Sequence, residues 1–562
     1  MRWGWFGSGV VLTGLSAAGW GYALRWSVFD EPWAPAGIGL LLALGLLVLL
    51  VVKLVRLPRE SDGPEHGIGP EAHAQRSVRV WAGRAAVVTG VFALDSLVRA
   101  YRTFAGGLPE LGEVLFGVGM TLMTVGLVLL ATTRNDLVVP SFRGMGGGVA
   151  VALVPLLAGS LVVEILPVEA VTADRPAEVA VPTTLSKVAW QWKRPDGAPI
   201  KAMAVAGGHV IVAIGDGVAA LDPRTGRERW HYRRPGASVG MHVAPDRATV
   251  VLALVPGDGA QASRNRMAVL DAYTGRVRFE YAGERRWRDE RTVLTSSGYV
   301  TTDDAGRLKS WDLSGASEPA WEYIMPSGCR PDFGVMGSST VALRDVIAVV
   351  ARCQDGVVVT GLNPTDGTEK WRYDYKSDES LLFINAAPSD DRSAMNLIVD
   401  TSREGVSYNG TEAKKNVILE QGTGKVLSEE TRRSLLATHF TTEGYLSLPT
   451  YDGGRGEYRW HPYDGSAPNT AAMEVRDLNK DTQPVRYMAL KDSVAVAEVS
   501  TTTPTTVTVT THVAPWGTTS ATNISFDLNA PESEGRGPML LLPAAGAVVF
   551  GYGGSNTLVG LV

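Results

Sequence analysis

Val218–Ala219–Ala220–Leu221–Asp222–Pro223–Arg224–Thr225–Gly226–Arg227–Glu228–Arg229–Trp230 is the stretch whose reading decides the fold. An apolar run enters Asp222, whose side chain can close a turn on its own backbone. Thr225–Gly226 supplies a left-handed position that glycine takes without steric cost. A second strand then ends in Trp230, an aromatic large enough to fill the gap between two sheets. The unit is a hairpin, and it recurs. Met267 to Phe279 repeats it around Asp271 and Gly275, and Val359 to Trp371 repeats it around Asn363 and Gly367. Degraded copies run from Leu308 to Trp321 and from Val417 to Val426. The spacing is roughly 40 to 55 residues, the period of propeller blades.

Upstream of the copies lie further short apolar strands, such as Met203–Val205, Val210–Ile214 and Val346–Val350. Four strands per unit make one blade. The end of the chain supplies inner strands at Met539–Leu542, Ala547–Gly551 and Thr557–Val562 but no terminal aromatic strand. Val188 to Pro195, with Trp190 and Trp192, resembles Arg229 to Pro235 and can provide it. Joining the two ends closes the ring, because an open sheet edge invites aggregation. The count is then eight blades, with seven as the runner-up, over residues 187–562.

The Ala-Leu-Asp-x-x-Thr-Gly-x-x-x-Trp run, best at Ala220 to Trp230, resembles the PQQ-like (quinoprotein-type) β-propeller repeat family. Two branches imply different functions. Membrane glucose dehydrogenases share the plan of about five spans followed by an outward-facing propeller, and that resemblance implies sugar oxidation with PQQ and calcium and electron transfer to quinone. Non-catalytic relatives, such as the lipoprotein scaffold of outer-membrane protein assembly, carry the repeat without a cofactor and bind partners through propeller loops. The present propeller is lean, lacks an adjacent cysteine pair and places no calcium-ligand or base carboxylates on a recognisable motif. Asp303–Asp304 is the best paired-carboxylate candidate, and in an Asp-Asp-Ala-Gly run it reads as a turn. The sequence therefore favours a non-catalytic binding or scaffold module. It assigns no catalytic, cofactor-binding or metal residues. PQQ with calcium enters only under the dehydrogenase alternative, and a sensor or transporter accessory is a second alternative.

The first 170 residues differ in texture. Lipid offers the backbone no hydrogen-bond partner, so a span is a helix of roughly 20 apolar residues. Gly37–Val55 and Leu111–Thr132 are the plainest candidates. With three weaker ones they give five expected spans, at about 5–24, 36–56, 84–104, 111–132 and 148–167, followed by a linker over 171–186. Met1–Arg2–Trp3 and the absence of a cleavage site near Tyr22–Trp26 argue for a retained first helix. Lys and Arg concentrate between Lys53 and Arg84 and again at Arg134 and Arg143. Basic loops stay cytoplasmic, which puts the N-terminus inside and the propeller outside.

The cysteines agree with that orientation. Cys329 and Cys353 are the only two, neither lies in a CxxC, and in an oxidising compartment they are expected to be bridged. Asp95 and Arg99 share one face of the third expected span. They are read as an intrahelical ion pair facing the bundle interior, and an intramembrane charge is also a functional candidate. A net charge of −5 gives no basic footprint for nucleic acid. The eight histidines show no metal-ligand spacing. The expected partners are the lipid bilayer and an envelope protein or cell-surface polymer.

Overall fold

The computed structural model describes residues 3–28, 70–105, 111–132, 142–165, 168–256, 266–282, 292–303, 305–314, 318–331, 339–376, 383–389, 391–400, 414–432, 439–447, 450–452, 455–474, 485–502, 506–529 and 539–562. A helical unit is built on Met1–Val168, and a β unit begins at Glu169.

Four helices are described in the first unit: α1 (Trp3–Val28), α2 (Pro70–Ala105), α3 (Leu111–Thr132) and α4 (Phe142–Ile165). Two stretches, Arg79–Tyr101 and Leu111–Thr132, are long and apolar enough to cross a membrane, and Met145–Leu157 is a shorter apolar stretch. The sequence predicts five spans, and the described residues do not supply that number. The Gly37–Val55 run lies outside them. Helix α2 also starts at Pro70 rather than near Arg84. Proline is well placed at a first helical position, and the following Glu71, Ala72 and Ala74 suit a first turn. Arg76, Arg79 and Arg84, read from the sequence as loop, are therefore helical.

Glycine sets how these helices pack. On α1, Gly7, Gly14 and Gly21 recur every seven residues, and on α3 so do Gly112, Gly119 and Gly126. The two helices run antiparallel with their glycines opposed. A Cβ at Gly14 would lie 2.6 Å from the Gly119 carbonyl, one at Gly21 2.7 Å from the Gly112 carbonyl, and one at Gly7 3.0 Å from the Gly126 carbonyl. Backbone meets backbone with no side chain between. Gly9 and Gly148 do the same between α1 and α4. Helix α2 packs on α3 through Ala82, Ala85, Ala86 and Ala93, with a hydrogen bond from Thr124 Oγ1 to Thr89 Oγ1 of 2.9 Å.

The β unit is an eight-bladed propeller. Eight antiparallel sheets follow one another, each a four-stranded meander with, in three cases, one added strand. Blade 1 runs from Met203 to Arg233, blade 2 from Ala237 to Ala282, blade 3 from Thr292 to Ile324 and blade 4 from Arg330 to Lys376. Blade 5 runs from Phe383 to Arg432, blade 6 from His439 to Glu474 and blade 7 from Val485 to Asn529. Blade 8 takes three strands from the C-terminal end and its outermost strand, Val188–Lys193, from before blade 1, with Trp190 opposite Gly560 and Lys193 opposite Thr557. This is the closure the sequence predicts. Third strands are buried on both faces, as in Gly217–Leu221 and Gly356–Leu362, because each sheet is packed between two others.

Residues 171–186, expected to be a linker, lie against the propeller. Glu169–Val171 adds a fifth strand to blade 1, with Val171 opposite His231. The Ala173 N–H then donates to Thr274, and Arg175 stacks 4.0 Å over the Tyr273 ring. The Gly546 N–H donates to Ala180, the Asp492 N–H donates to Thr183, and Leu185 is buried in the core between blades 7 and 8.

Candidate functional face of the propeller

The repeat signature lies where each blade meets the next. In blade 1 the Asp222 carboxylate accepts from the Arg224 N–H at 2.9 Å, and the Gly226 N–H closes the turn onto the Asp222 carbonyl at 2.8 Å. Blade 2 repeats this with Asp271 and Gly275, and blade 4 with Asn363 and Gly367. The three glycines have φ of 68°, 72° and 72°. Each is covered by an indole from the preceding blade: Trp190 on Gly226, Trp230 on Gly275 and Trp321 on Gly367. Trp371 covers Gly424 of blade 5 in the same way. The indole N–H then donates into the same turn, from Trp190 to the Pro223 carbonyl at 2.7 Å, Trp321 to Pro364 at 3.0 Å and Trp371 to Gln421 at 2.6 Å. These residues form the joints between blades. Phe279 departs from the pattern and is 44% exposed, where Trp230 is fully buried. The turn that would receive it, after Asp312 in blade 3, lacks the Thr-Gly pair.

The other residues singled out by sequence fall elsewhere. Cys329 and Cys353 are disulfide-bonded and tie the connection between blades 3 and 4 to a turn inside blade 4. Asp303 accepts from the backbone N–H groups of Ala305 and Arg307 at 3.0 and 2.8 Å, as a turn residue does. Asp95 and Arg99 are paired at 2.8 Å, with Arg99 37% and Asp95 54% exposed. The pair lies away from the alanine stripe that packs on α3, not toward the bundle interior. Among the described residues no group of three or more His, Cys, Asp or Glu side chains is gathered for a metal ion.

In a four-stranded meander, the turn between strands one and two and the turn between strands three and four emerge at the same end. One face of the propeller therefore carries all the signature turns and all the innermost turns. At its centre is a cavity of about 230 Å³. Met203, Ala204 and Val205 of blade 1, Val243 to Pro245 of blade 2 and Leu541 to Pro543 of blade 8 form its apolar wall. Arg247 of blade 2 and Arg392 of blade 5 also line it. Blades 1 and 5 stand across the ring from each other, so the cavity lies on the propeller axis. Among the described residues its walls offer no carboxylate. Sequence reading missed the face because no local motif marks it. The one available signal was Pro-Asp-Arg and Asp-Asp-Arg at turns where glycine is the easier residue.

The carboxylates beside the two arginines are held by their own turns. Asp246 accepts from the Ala248 N–H at 2.9 Å, yet burial raises its pKa above the usual carboxylate range. Burial would also raise Asp391, but hydrogen bonds from the Ser389 and Ser393 hydroxyls outweigh it and hold its pKa low.

The sequence model of the family described as PQQ_2, outer membrane protein assembly factor BamB, matches residues 168–292. Among solved structures, BamB from Moraxella catarrhalis is similar at 12% identity and a TM-score of 0.36, covering 67% of this chain and 99% of its own. The WD40 domain of SCAP from fission yeast is similar at 10% identity and a TM-score of 0.38, covering 66% of this chain and 97% of its own. No curated protein matches the chain. Residues 168–292 carry the PQQ-like repeat of the family described as outer membrane protein assembly factor BamB, and the ring they open is an eight-bladed β-propeller.

Proposed function

We propose that this chain is a membrane-anchored, non-catalytic binding propeller of the cell envelope, which holds an envelope protein through the face bearing the axial cavity. The observation that carries the reading is the composition of that face. It combines an apolar cavity, two arginines at the rim and turn carboxylates already engaged by backbone and hydroxyl groups. A few convergent polar groups over an apolar floor suit recognition. The match to an assembly-factor family supports a scaffold role. The apolar helices and their glycine contacts support anchoring, since close backbone approach is how helices associate in lipid. The disulfide supports an oxidising compartment and hence a propeller outside the cytoplasm.

Photocrosslinking in intact membranes tests the reading. Photoreactive residues at Ala545 and Lys491, on innermost turns of blades 8 and 7, are expected to trap the same envelope component. One at Glu322, on the outer strand of blade 3, is expected not to trap it. Equal adducts from all three positions, or none, would overturn the assignment of the face. Dye reduction by the purified protein supplied with PQQ and calcium would overturn the non-catalytic reading.

A further inference from the structure

The segment from Ala173 to Leu185 crosses the axial face before Val188 begins the outermost strand of blade 8. Its path can be followed turn by turn. The Ala173 N–H donates to the Thr274 carbonyl, in the signature turn of blade 2, at 3.0 Å. Pro176 then covers the innermost turn of blade 1, where a Cβ on Gly208 would lie 2.9 Å from its Cγ. On blade 8 the Gly546 N–H donates to the Ala180 carbonyl at 2.9 Å, and a Cβ on Gly546 would lie 3.3 Å from Val179 Cγ1. On blade 7 the Asp492 N–H donates to the Thr183 carbonyl at 3.0 Å. This short segment thus visits turns of four neighbouring blades. Arg175 and Val181 each precede a proline, which biases them to extended backbone.

Its ends and its middle are held unequally. At one end Glu169–Val171 is paired with blade 1, and at the other Leu185 is 3% exposed. Between them none of residues 174–184 is buried, and Val179 and Val181 are 38% and 40% exposed. Pro176 and Pro182 lack the N–H that a ladder would use. A segment with so few buried contacts opens at low free energy. The ring beneath closes without it, because Val188–Lys193 pairs with Thr557–Leu561 and completes blade 8. The turns below are shaped to receive a chain, with glycine where a side chain would collide and N–H groups aimed at carbonyls above them.

We propose that the innermost turns of blades 7, 8 and 1 form a docking track for an extended, proline-bearing peptide segment of a partner protein, and that residues 174–184 fill it as an exchangeable strap. The proposal rests on the binding-face reading and gives it a peptide chemistry and a self-covered resting state. The Asp492 and Gly546 N–H groups take carbonyls of the incoming segment, as they take Thr183 and Ala180 of the strap. The glycine surfaces at 208 and 546 take proline or a small apolar side chain, as they take Pro176 and Val179. The strands that lead into two of these turns, Met203–Ala206 and Met539–Ala544, also wall the axial cavity, so the track borders it. A peptide already extended by proline loses little conformational entropy on docking. The tethered strap competes at high effective concentration, so a partner needs contacts beyond the track to displace it.

The full-length protein in nanodiscs is tested with residues 175–184 intact and with them replaced by a Gly-Ser run of equal length. The probe is acetyl-Arg-Pro-Ala-Glu-Val-Ala-Val-Pro-Thr-Thr-amide with a photoreactive group in place of its first valine. The control peptide has the same residues in reverse order. The replaced protein is expected to give saturable adducts at the blade 8 turn around Gly546, competed by unlabelled peptide, and the intact protein about tenfold fewer. Hydrogen exchange on the intact protein needs no variant. The amides of Gly546 and Asp492 are expected to exchange about a hundredfold faster than amides in the central ladders of the same blades. Equal protection would make the strap a fixed part of the fold and overturns the proposal. So do equal adducts from the reversed peptide, or none on a replaced protein that keeps its melting temperature. A replaced protein that fails to fold leaves the exchange measurement to decide. Peptide labelling judges the track and the membrane crosslinking from Ala545 and Lys491 judges the face, so either can fail alone.

Discussion

The helical unit and the propeller both depend on glycine, for opposite reasons. On α1 and α3 the glycines have ordinary helical backbone, and what matters is the missing side chain, because the partner helix occupies the space a Cβ would take. In the propeller turns the glycines at 226, 275, 367 and 424 are chosen first for their dihedral angles, and an indole then seals the exposed backbone. One use is steric exclusion between elements, the other conformational freedom within one. Substitution should therefore propagate differently, loosening a helix pair in the first case and lifting an aromatic lid in the second.

The strongest break of the comparison is at the lid. Trp371→Ala is expected to cost about 3–5 kcal/mol in denaturant unfolding of the propeller, as for a large buried aromatic. Phe279→Ala, at a half-exposed side chain, should cost less than about 1 kcal/mol. Equal losses would mean that the Trp–Gly joint carries no special weight. Next in size is the disulfide. Replacing Cys329 and Cys353 by serine is expected to lose about 3 kcal/mol for a crosslink spanning 24 residues. Reducing agent should produce the same shift in the wild-type chain and none in the variant.

In the helical unit, Gly14→Leu should destabilise by about 1–3 kcal/mol through overpacking. Gly19→Ala, where a Cβ meets nothing within 4 Å, should stabilise by up to about 1 kcal/mol through helix propensity. Thermal melts in detergent compare the pair, and a neutral Gly14→Leu would remove the steric argument. The smallest effect is a pH dependence in blade 7. His512 Nε2 lies 3.1 Å from Glu498 Oε1, and Nδ1 lies 2.8 Å from Asn523 Oδ1. Burial opposes the charge, but the Glu498 and Asn523 hydrogen bonds outweigh it and raise the pKa of His512 above its usual value. A raised histidine pKa stabilises fully below the unfolded value, near 6.5, and that contribution is lost as pH rises through the folded value. Propeller stability should therefore decline modestly from pH 6 to pH 8, and Glu498→Gln should flatten the slope.

The legibility of the two units in the sequence also differs. A blade is announced by its own residues, because the Asp, the Gly and the Trp of each hairpin lie close together in the chain. That local completeness made the ring, its eight blades and its closing strand readable. Helix packing is announced by residues on different helices. The period-seven glycines of α1 made that segment look weakly apolar when read alone, and their purpose becomes visible only beside Gly112, Gly119 and Gly126. The axial cavity was illegible for a related reason. Its walls come from blades 1, 2, 5 and 8, and a turn such as Pro245–Asp246–Arg247 looks ordinary until its φ and the direction of the ring are known.

The strand Val188–Lys193 emerges early in synthesis, yet among the described residues its only ladder partner is Thr557–Leu561. Until that late segment arrives, Trp190 cannot reach its place over Gly226, and blade 1 is left without its lid. The ring thus cannot lock progressively as the polypeptide is synthesised. A slow final annealing step is the natural counterpart of such a clasp, and a long interval of vulnerability to proteases is its cost.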